Sequence, residues 1–285
     1  EYEQTLKNIA SYEDVLNNYD SMCDVIITEL DGIKREYSVK RRTVIENAEE
    51  AVYEEKKMEE AEVCFLMDRF GYMRLIDKNA YERNKEAAHA ENKFIFTCMN
   101  TDKICIFTDM GRMHSIKVAD IPLVRFRDKG IPADNLSNYD SSQEQILYVA
   151  PVGQVKLSTL LFVTKTSMCK LVAGDEFDVS KRTIASTKLG EDDRLIFVGL
   201  ADEMEQVVFQ SQGGYFLRIL KTDISAMKKT SVGVRGMKLG NGDVLEHAYM
   251  VEPRQEYTIQ YHDKPYSLNK VKLAKRDTKG TKPRI

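Results

Sequence analysis

From residue 62 onward, apolar and polar positions alternate in short runs that meet at tight turns, and the pattern repeats. The clearest copy spans residues 207–245. It opens with Val207-Val208-Phe209, turns through Gln212-Gly213-Gly214, and resumes with Tyr215-Phe216-Leu217-Arg218-Ile219-Leu220. Two β-rich runs around a glycine turn predict a hairpin, because glycine reaches positive φ without a Cβ clash. A basic loop from Lys228 to Lys238 follows, and Asn241-Gly242-Asp243 marks a second turn. Weaker copies centre on Gly71, Gly111, Ser167 and Lys264, with serine and lysine in place of glycine at the last two. Measured to Gly213, the spacings are 40, 56, 46 and 51 residues. Units of that length, each with about four short strands, predict a mainly β, propeller-like fold of about five four-stranded blades.

The first 37 residues follow a different period. Leu6, Ile9, Tyr12, Leu16, Tyr19, Met22, Ile26, Leu30, Ile33 and Tyr37 recur in steps of three and four, the spacing of a helix with one buried stripe. Asn17-Asn18 interrupts it, and Asn18 is placed to cap a second helix. The basic tetrad Lys40-Arg41-Arg42-Thr43 follows, where cations suit a helix C-terminus. The pattern divides the chain into a helical stem (1–43), an acidic and partly helical linker (44–60), and the repeat domain (61–285). Within the repeats, residues 84–92 read as a polar connection between blades, and 119–143 and 177–193 as long surface connections. The tail, 264–285, carries eight basic residues and one acid, Asp277. Its last residues are expected to be mobile unless they return to pair with the first blade.

Composition narrows the classes. With 42% hydrophobic and 31% charged residues the chain is globular, and no apolar run approaches the roughly 20 residues that span a bilayer. It begins with glutamate and shows no signal segment, as expected of a piece of a longer protein. The five cysteines (23, 64, 98, 105, 169) lack CxxC spacing and read as small thiols in a reducing cytoplasm. His89, His114, His247 and His262 lack ligand spacing, and Asp192-Asp193 and Asp175-Glu176 fall in predicted turns, where capping explains them. No catalytic constellation or metal set emerges.

Charge is distributed unevenly. Residues 1–60 hold 16 acidic and 8 basic side chains, whereas 61–285 hold 29 and 34. In the repeat region basic residues recur at corresponding points: Arg74 and Arg83; Arg112, Lys117, Arg125, Arg127 and Lys129; Lys170, Lys181, Arg182 and Lys188; Arg218, Lys221, Lys228, Lys229, Arg235 and Lys238. Any one of these is ordinarily a solvated surface charge. Recurrence on a disc would align them along one rim, and a positive rim meets duplex DNA through its phosphates, bending it without reading bases. The alternative is a propeller-like scaffold whose loops bind a protein.

These motifs together resemble the A subunit of bacterial type IIA topoisomerases, DNA gyrase and topoisomerase IV. Lys40-Arg41-Arg42-Thr43 resembles the tetrad after that family's coiled coil. Gly71-Tyr72, Asp109-Met110-Gly111-Arg112, and Thr230-Ser231-Val232-Gly233-Val234-Arg235-Gly236-Met237-Lys238-Leu239-Gly240 with Asn241-Gly242-Asp243 resemble its blade motifs. The resemblance implies a C-terminal β-pinwheel preceded by the end of a coiled-coil arm. It also implies double-stranded DNA as partner, a homodimer of A subunits formed upstream, and an A2B2 assembly with an ATPase B subunit in the bacterial cytoplasm. ATP and Mg would act in that B subunit, leaving no catalytic residue, cofactor or metal in this stretch. Where gyrase carries a glycine-rich basic box, Q-R-R-G-G-K-G, this chain has residues 81–90, Tyr-Glu-Arg-Asn-Lys-Glu-Ala-Ala-His-Ala. The missing box and the five-blade count make the chain similar to topoisomerase IV, which relaxes and decatenates and positions the transported duplex.

Overall fold

The computed structural model describes residues 1–40, 42–43, 59–252 and 254–283. The chain divides into two compact units, Glu1–Lys56 and Lys57–Ile285. In the first, the helical period forms α1 (Tyr2–Asn17) and α2 (Tyr19–Tyr37). Asn18 takes an extended conformation between them, and its side-chain oxygen accepts from the Asp20 N–H at 3.1 Å, which caps α2. No residue of either helix is buried, and Leu16 and Leu30 are 83% and 58% exposed. The expected burial of the apolar stripe is therefore corrected: the two helices leave each other's apolar faces uncovered within this unit. Arg41 and the predicted helix in 49–60, up to residue 58, lie outside the described residues.

The second unit is built of strands. In chain order they are β1 (Glu62–Asp68), β2 (Tyr72–Asp77), β3 (Asn92–Met99), β4 (Lys103–Thr108), β5 (Arg112–Lys117), β6 (Ile131–Pro132), β7 (Ile146–Pro151), β8 (Thr159–Thr164) and β9 (Met168–Ala173). They continue as β10 (Thr183–Ala185), β11 (Leu195–Leu200), β12 (Gln206–Ser211), β13 (Phe216–Leu220), β14 (Val234–Arg235), β15 (Leu245–Val251), β16 (Thr258–Tyr261) and β17 (Lys264–Ser267). All five hairpins are present: β1–β2, β4–β5, β8–β9, β12–β13 and β16–β17. Gly71, Gly111 and Gly214 take positive φ at the turns, and Ser167 does so at 70° in the third. The Ser167 hydroxyl also accepts from the Met237 N–H at 2.7 Å, a contact glycine could not make.

Strand order departs from a simple meander. The first three sheets run β3-β1-β2-β6, β7-β4-β5-β10 and β11-β8-β9-β14. In each, the last strand comes from beyond the next hairpin. The fourth sheet, β13-β12-β15, is extended the same way by a bridge from Thr281 to Phe216, while the fifth is the β16–β17 pair. Each repeat thus completes the sheet before it. The tail pairs with the fourth blade, not the first, which corrects the expectation for its end.

Close packing of three of these four crossovers depends on glycine. Gly130, Gly233 and Gly280 have φ of 79°, 109° and 75°. A Cβ there would lie 2.3, 2.7 and 2.4 Å from the carbonyl oxygens of Met73, Cys169 and Phe216, so only glycine fits.

Middle strands are apolar on both faces because each blade is sandwiched. Val63, Phe65 and Met67 pack with Ile104 and Ile106 of the second blade; Cys105 and Phe107 pack with Leu160 and Phe162 of the third; Leu161 and Val163 pack with Val207 and Phe209 of the fourth. The opposite face of β1, Cys64 and Leu66, is covered by Ala88 and Tyr81. Those two residues belong to α3 (Lys78–Arg83) and α4 (Lys85–Glu91), where the sequence pattern predicts a plain connection. Alanine, glutamate and lysine are good helix formers, and the Asp77 carboxylate caps α3 by accepting from the Asn79 N–H at 2.8 Å. Four of the five thiols are buried strand residues, which pushes Cys64 up to about 11 and Cys98, Cys105 and Cys169 to about 12. A last short helix, α5 (Val152–Lys156), packs under Gly174, whose N–H donates to the Ser158 carbonyl at 2.8 Å.

Candidate nucleic-acid interface

Four crossover loops lead to the edge strands, and all four are basic. Residues 121–132 carry Arg125, Arg127 and Lys129 with one acid, and 178–188 carry Lys181, Arg182 and Lys188 with one acid. Residues 224–238 carry Lys228, Lys229, Arg235 and Lys238 with no acid. Residues 271–283 carry Lys272, Lys275, Arg276, Lys279 and Lys282 with one acid. Acids collect instead in the connections that enter the next hairpin, such as 190–193 and 202–205. The fold thus segregates charge by loop type. A crossover loop must run outside the sheet it completes, so its cations meet solvent.

The recurring cations do not share one environment. Arg83, Lys117, Arg125, Arg127, Lys129, Lys181, Arg182, Lys188, Lys228, Arg235 and Lys238 are exposed. Lys129 holds its ammonium 4.0 Å above the Tyr72 ring, and Arg235 lies 3.5 Å from the Asp277 carboxylate. Arg112 is exposed but pairs with buried Glu144 at 2.9 Å. Half-buried Lys221 and Lys229 donate to the carbonyls of Ala201 and Glu176. Arg218 is also half-buried, and its Nε has no partner among the described residues.

Two members of the set lie in the core and not on an open rim: Arg74 is 6% and Lys170 1% exposed. Both stand three residues after the positive-φ turn residue, as does His114, which is fully buried. At that position the side chain points at the crossover loop arriving from the next repeat. Lys170 Nζ donates to the carbonyls of Lys228, Lys229 and Ser231 at 3.1, 2.9 and 2.6 Å. His114 lies 3.1 Å from Thr183 of β10 and 3.1 Å from Glu144, which also accepts from Thr108 at 2.6 Å. Burial would raise the Glu144 carboxyl, but the hydrogen bonds from Thr108 and His114 and the Arg112 charge outweigh it and hold it below its usual range. These residues fasten loops whose other side chains face outward.

Burial lowers the Lys170 ammonium to about 8. Between about pH 8 and the usual lysine value near 10.4 the unfolded chain therefore holds more protons, and native stability rises with pH through that window. Lys170→Met is expected to lose about 1–3 kcal/mol at pH 7, because three carbonyls lose their donor. The wild-type rise between pH 8 and 10 should vanish in the variant. Urea unfolding at pH 7, 8, 9 and 10 measures both.

The sequence shows the tail's cations without joining them to the recurring set, although Arg127-Asp128-Lys129-Gly130 returns as Arg276-Asp277-Thr278-Lys279-Gly280 with one inserted threonine. Lys279 and Lys282 lie 4.6 and 4.8 Å from the Tyr215 ring centroid, which anchors this loop beside the fourth hairpin.

The family model for the DNA gyrase C-terminal domain, a β-propeller, matches residues 102–141, 158–202 and 205–252, covering repeats two to four. The DNA gyrase A subunit of Clostridium acetobutylicum is 27% identical over 83% of this chain, and that of Ureaplasma parvum serovar 3 is 24% identical over 98%. The chain spans 30% and 35% of those two proteins, about a third of their length. Among solved structures, the C-terminal domain of DNA topoisomerase IV superposes with a TM-score of 0.70 at 22% identity, covering 78% of this chain and 72% of that one. The DNA gyrase A C-terminal domain superposes with a TM-score of 0.53 at 16% identity, covering 78% and 76%. With its hairpins and crossover strands the repeat unit has the β-propeller fold of these C-terminal domains, and its central repeats match the DNA gyrase C-terminal domain family.

Proposed function

We propose that this chain holds duplex DNA by its phosphates along the crossover loops, as the DNA-handling region of a type IIA topoisomerase. The observation that carries this reading is the segregation of charge: all four crossover loops are basic while acids collect elsewhere. Lysine and arginine suit phosphates, and phosphate contacts carry no sequence information, so binding should be indifferent to sequence. In the intact enzyme, two such A subunits would work with two B subunits that use ATP and Mg, in the bacterial cytoplasm. This region would position the transported segment for relaxation and decatenation.

Within the family, a topoisomerase IV-type role is supported by residues 81–90. They lie across α3 and α4, and Glu82 and Glu86 balance Arg83 and Lys85. Helical backbone is hydrogen-bonded within itself and cannot approach a phosphate as a glycine loop can. Tight bending of a 20–30 bp site costs about 1–6 kcal/mol, which a neutral helical segment does little to offset. A gyrase-type wrapping role is favoured by a different observation, the sequence similarity to A subunits of DNA gyrase. Ligating nicked circles in the presence of the chain separates the two. The expected result is little change in linking number; a large positive, protein-dependent shift would make wrapping the better reading.

A further inference from the structure

The helices that replace the glycine-rich stretch leave a cleft of about 560 Å³ between α4 and the first crossover loop. Arg74 lies at its base, Phe126 forms one wall, and Arg127, Lys129, Glu91 and Asp128 line it as well. Arg74 is 6% exposed, its guanidinium lies 5.8 Å from the Phe126 ring centroid, and its Nε has no hydrogen-bond partner among the described residues. A buried charged donor left without an acceptor is costly, and native structures ordinarily supply one.

The equivalent position in the third repeat shows what is missing. There Lys170 is closed over by three carbonyls of its own crossover loop. In the first repeat the loop pairs with Leu75, but none of its carbonyls accepts from Arg74 among the described residues, and two of its exposed cations, Arg127 and Lys129, line the cleft with Arg74. Asp128 is turned to its own loop, where its carboxylate accepts from the Arg125 N–H at 3.0 Å. Three cations therefore face one opening, with Glu91 as the uncommitted acid on its lip.

We infer that this cleft is a receptor for a single phosphoryl group, with the Arg74 guanidinium as its buried donor and Arg127 and Lys129 closing over the anion. Arginine suits the role because its planar fork stays charged and meets phosphate oxygens in pairs. The group could be carried by a duplex backbone or by a free phosphorylated compound. As part of the DNA-holding rim the cleft rests on the function proposed above, but a titration with free phosphate uses no DNA, so the two readings can fail separately.

The experiment uses the whole chain, labelled with 15N, and inorganic phosphate added at constant ionic strength against chloride. The Arg74 Nε–H signal should shift and saturate with phosphate and stay unmoved in chloride. Glu91→Gln should tighten binding about threefold by removing a like charge from the lip, and Arg127→Gln should weaken it about tenfold. Both side chains are exposed, so these variants keep the fold even if Arg74→Met does not. In a second arm a short duplex is added to the phosphate-loaded chain. Displacement of phosphate identifies the DNA backbone as the natural source, and retention beside bound duplex identifies a free phosphorylated compound. An Arg74 signal indifferent to phosphate, or affinity unchanged in both variants, overturns the inference.

Discussion

Replacing Lys181, Arg182 and Lys228 together with alanine is expected to weaken binding to any duplex by about two orders of magnitude near 0.1 M salt. All three are exposed, they belong to two successive crossover loops, and none lines the Arg74 cleft. Each phosphate contact contributes roughly 0.9 to the slope of log affinity against log salt, so the slope should flatten by about 2.7. The loss should be equal for unrelated sequences, because no base edge is being read. Fluorescence anisotropy on two duplexes of different sequence, from about 50 to 200 mM salt, measures slope and specificity together. A loss confined to one sequence, or a slope unchanged from wild type, would contradict a phosphate rim and favour a protein-binding scaffold.

Gly174→Ala is expected to cost the repeat unit at least about 3 kcal/mol, in the range of severe overpacking. A Cβ at this position would lie 1.6 Å from the Val155 carbonyl oxygen and 2.6 Å from that of Ser158. Both neighbours are backbone, so no side chain can turn away to make room. The damage would reach the interface, because Gly174 directly follows β9, packed against α5, and β9 carries the crossover strand β14. Gly153→Ala is the control: it lies in α5 with nothing within 4 Å, and alanine there favours the helix. Urea denaturation should show a large drop in midpoint for the first variant and little change for the second. Equal midpoints would mean that α5 does not pack on β9 as described.

The hairpins are legible in the sequence because their signal is local: two apolar runs and a turn residue able to take positive φ. Ser167 adopts that conformation in place of glycine, but Lys264 does not: it lies in β17, and His262 and Asp263 make the fifth turn with φ of 50° and 59°. The edge strands are not legible. β6 and β14 are two residues long, shorter than any periodicity can register, and their partners lie about 60 residues upstream. Such a distance hides the tail's destination, and a separation of 30 residues hides the pairing of His114 with Glu144. The recurrence of the cations is visible along the chain, but recurrence does not reveal which way each points. Where a strand is covered on both faces, alternation loses its meaning, so Arg74 and Lys170 look like their exposed neighbours. The α3–α4 pair is hidden by its shortness, with neither helix longer than seven residues.

Because each of the first four sheets is finished by chain that follows the next hairpin, the unit copied in the sequence and the unit that folds are out of step by one strand. A blade emerging during synthesis stays incomplete until most of its successor has been made: β2 waits for residues 131–132, and β13 for Thr281. The same offset constrains inheritance. Deleting one hairpin-to-hairpin repeat removes the edge of the preceding blade as well, so repeats can be gained or lost only if the crossover loop fits its new neighbour. In this fold a basic, glycine-containing crossover is therefore also a compatibility code between adjacent copies, through which selection on the ligand surface and on the joint act on the same few residues.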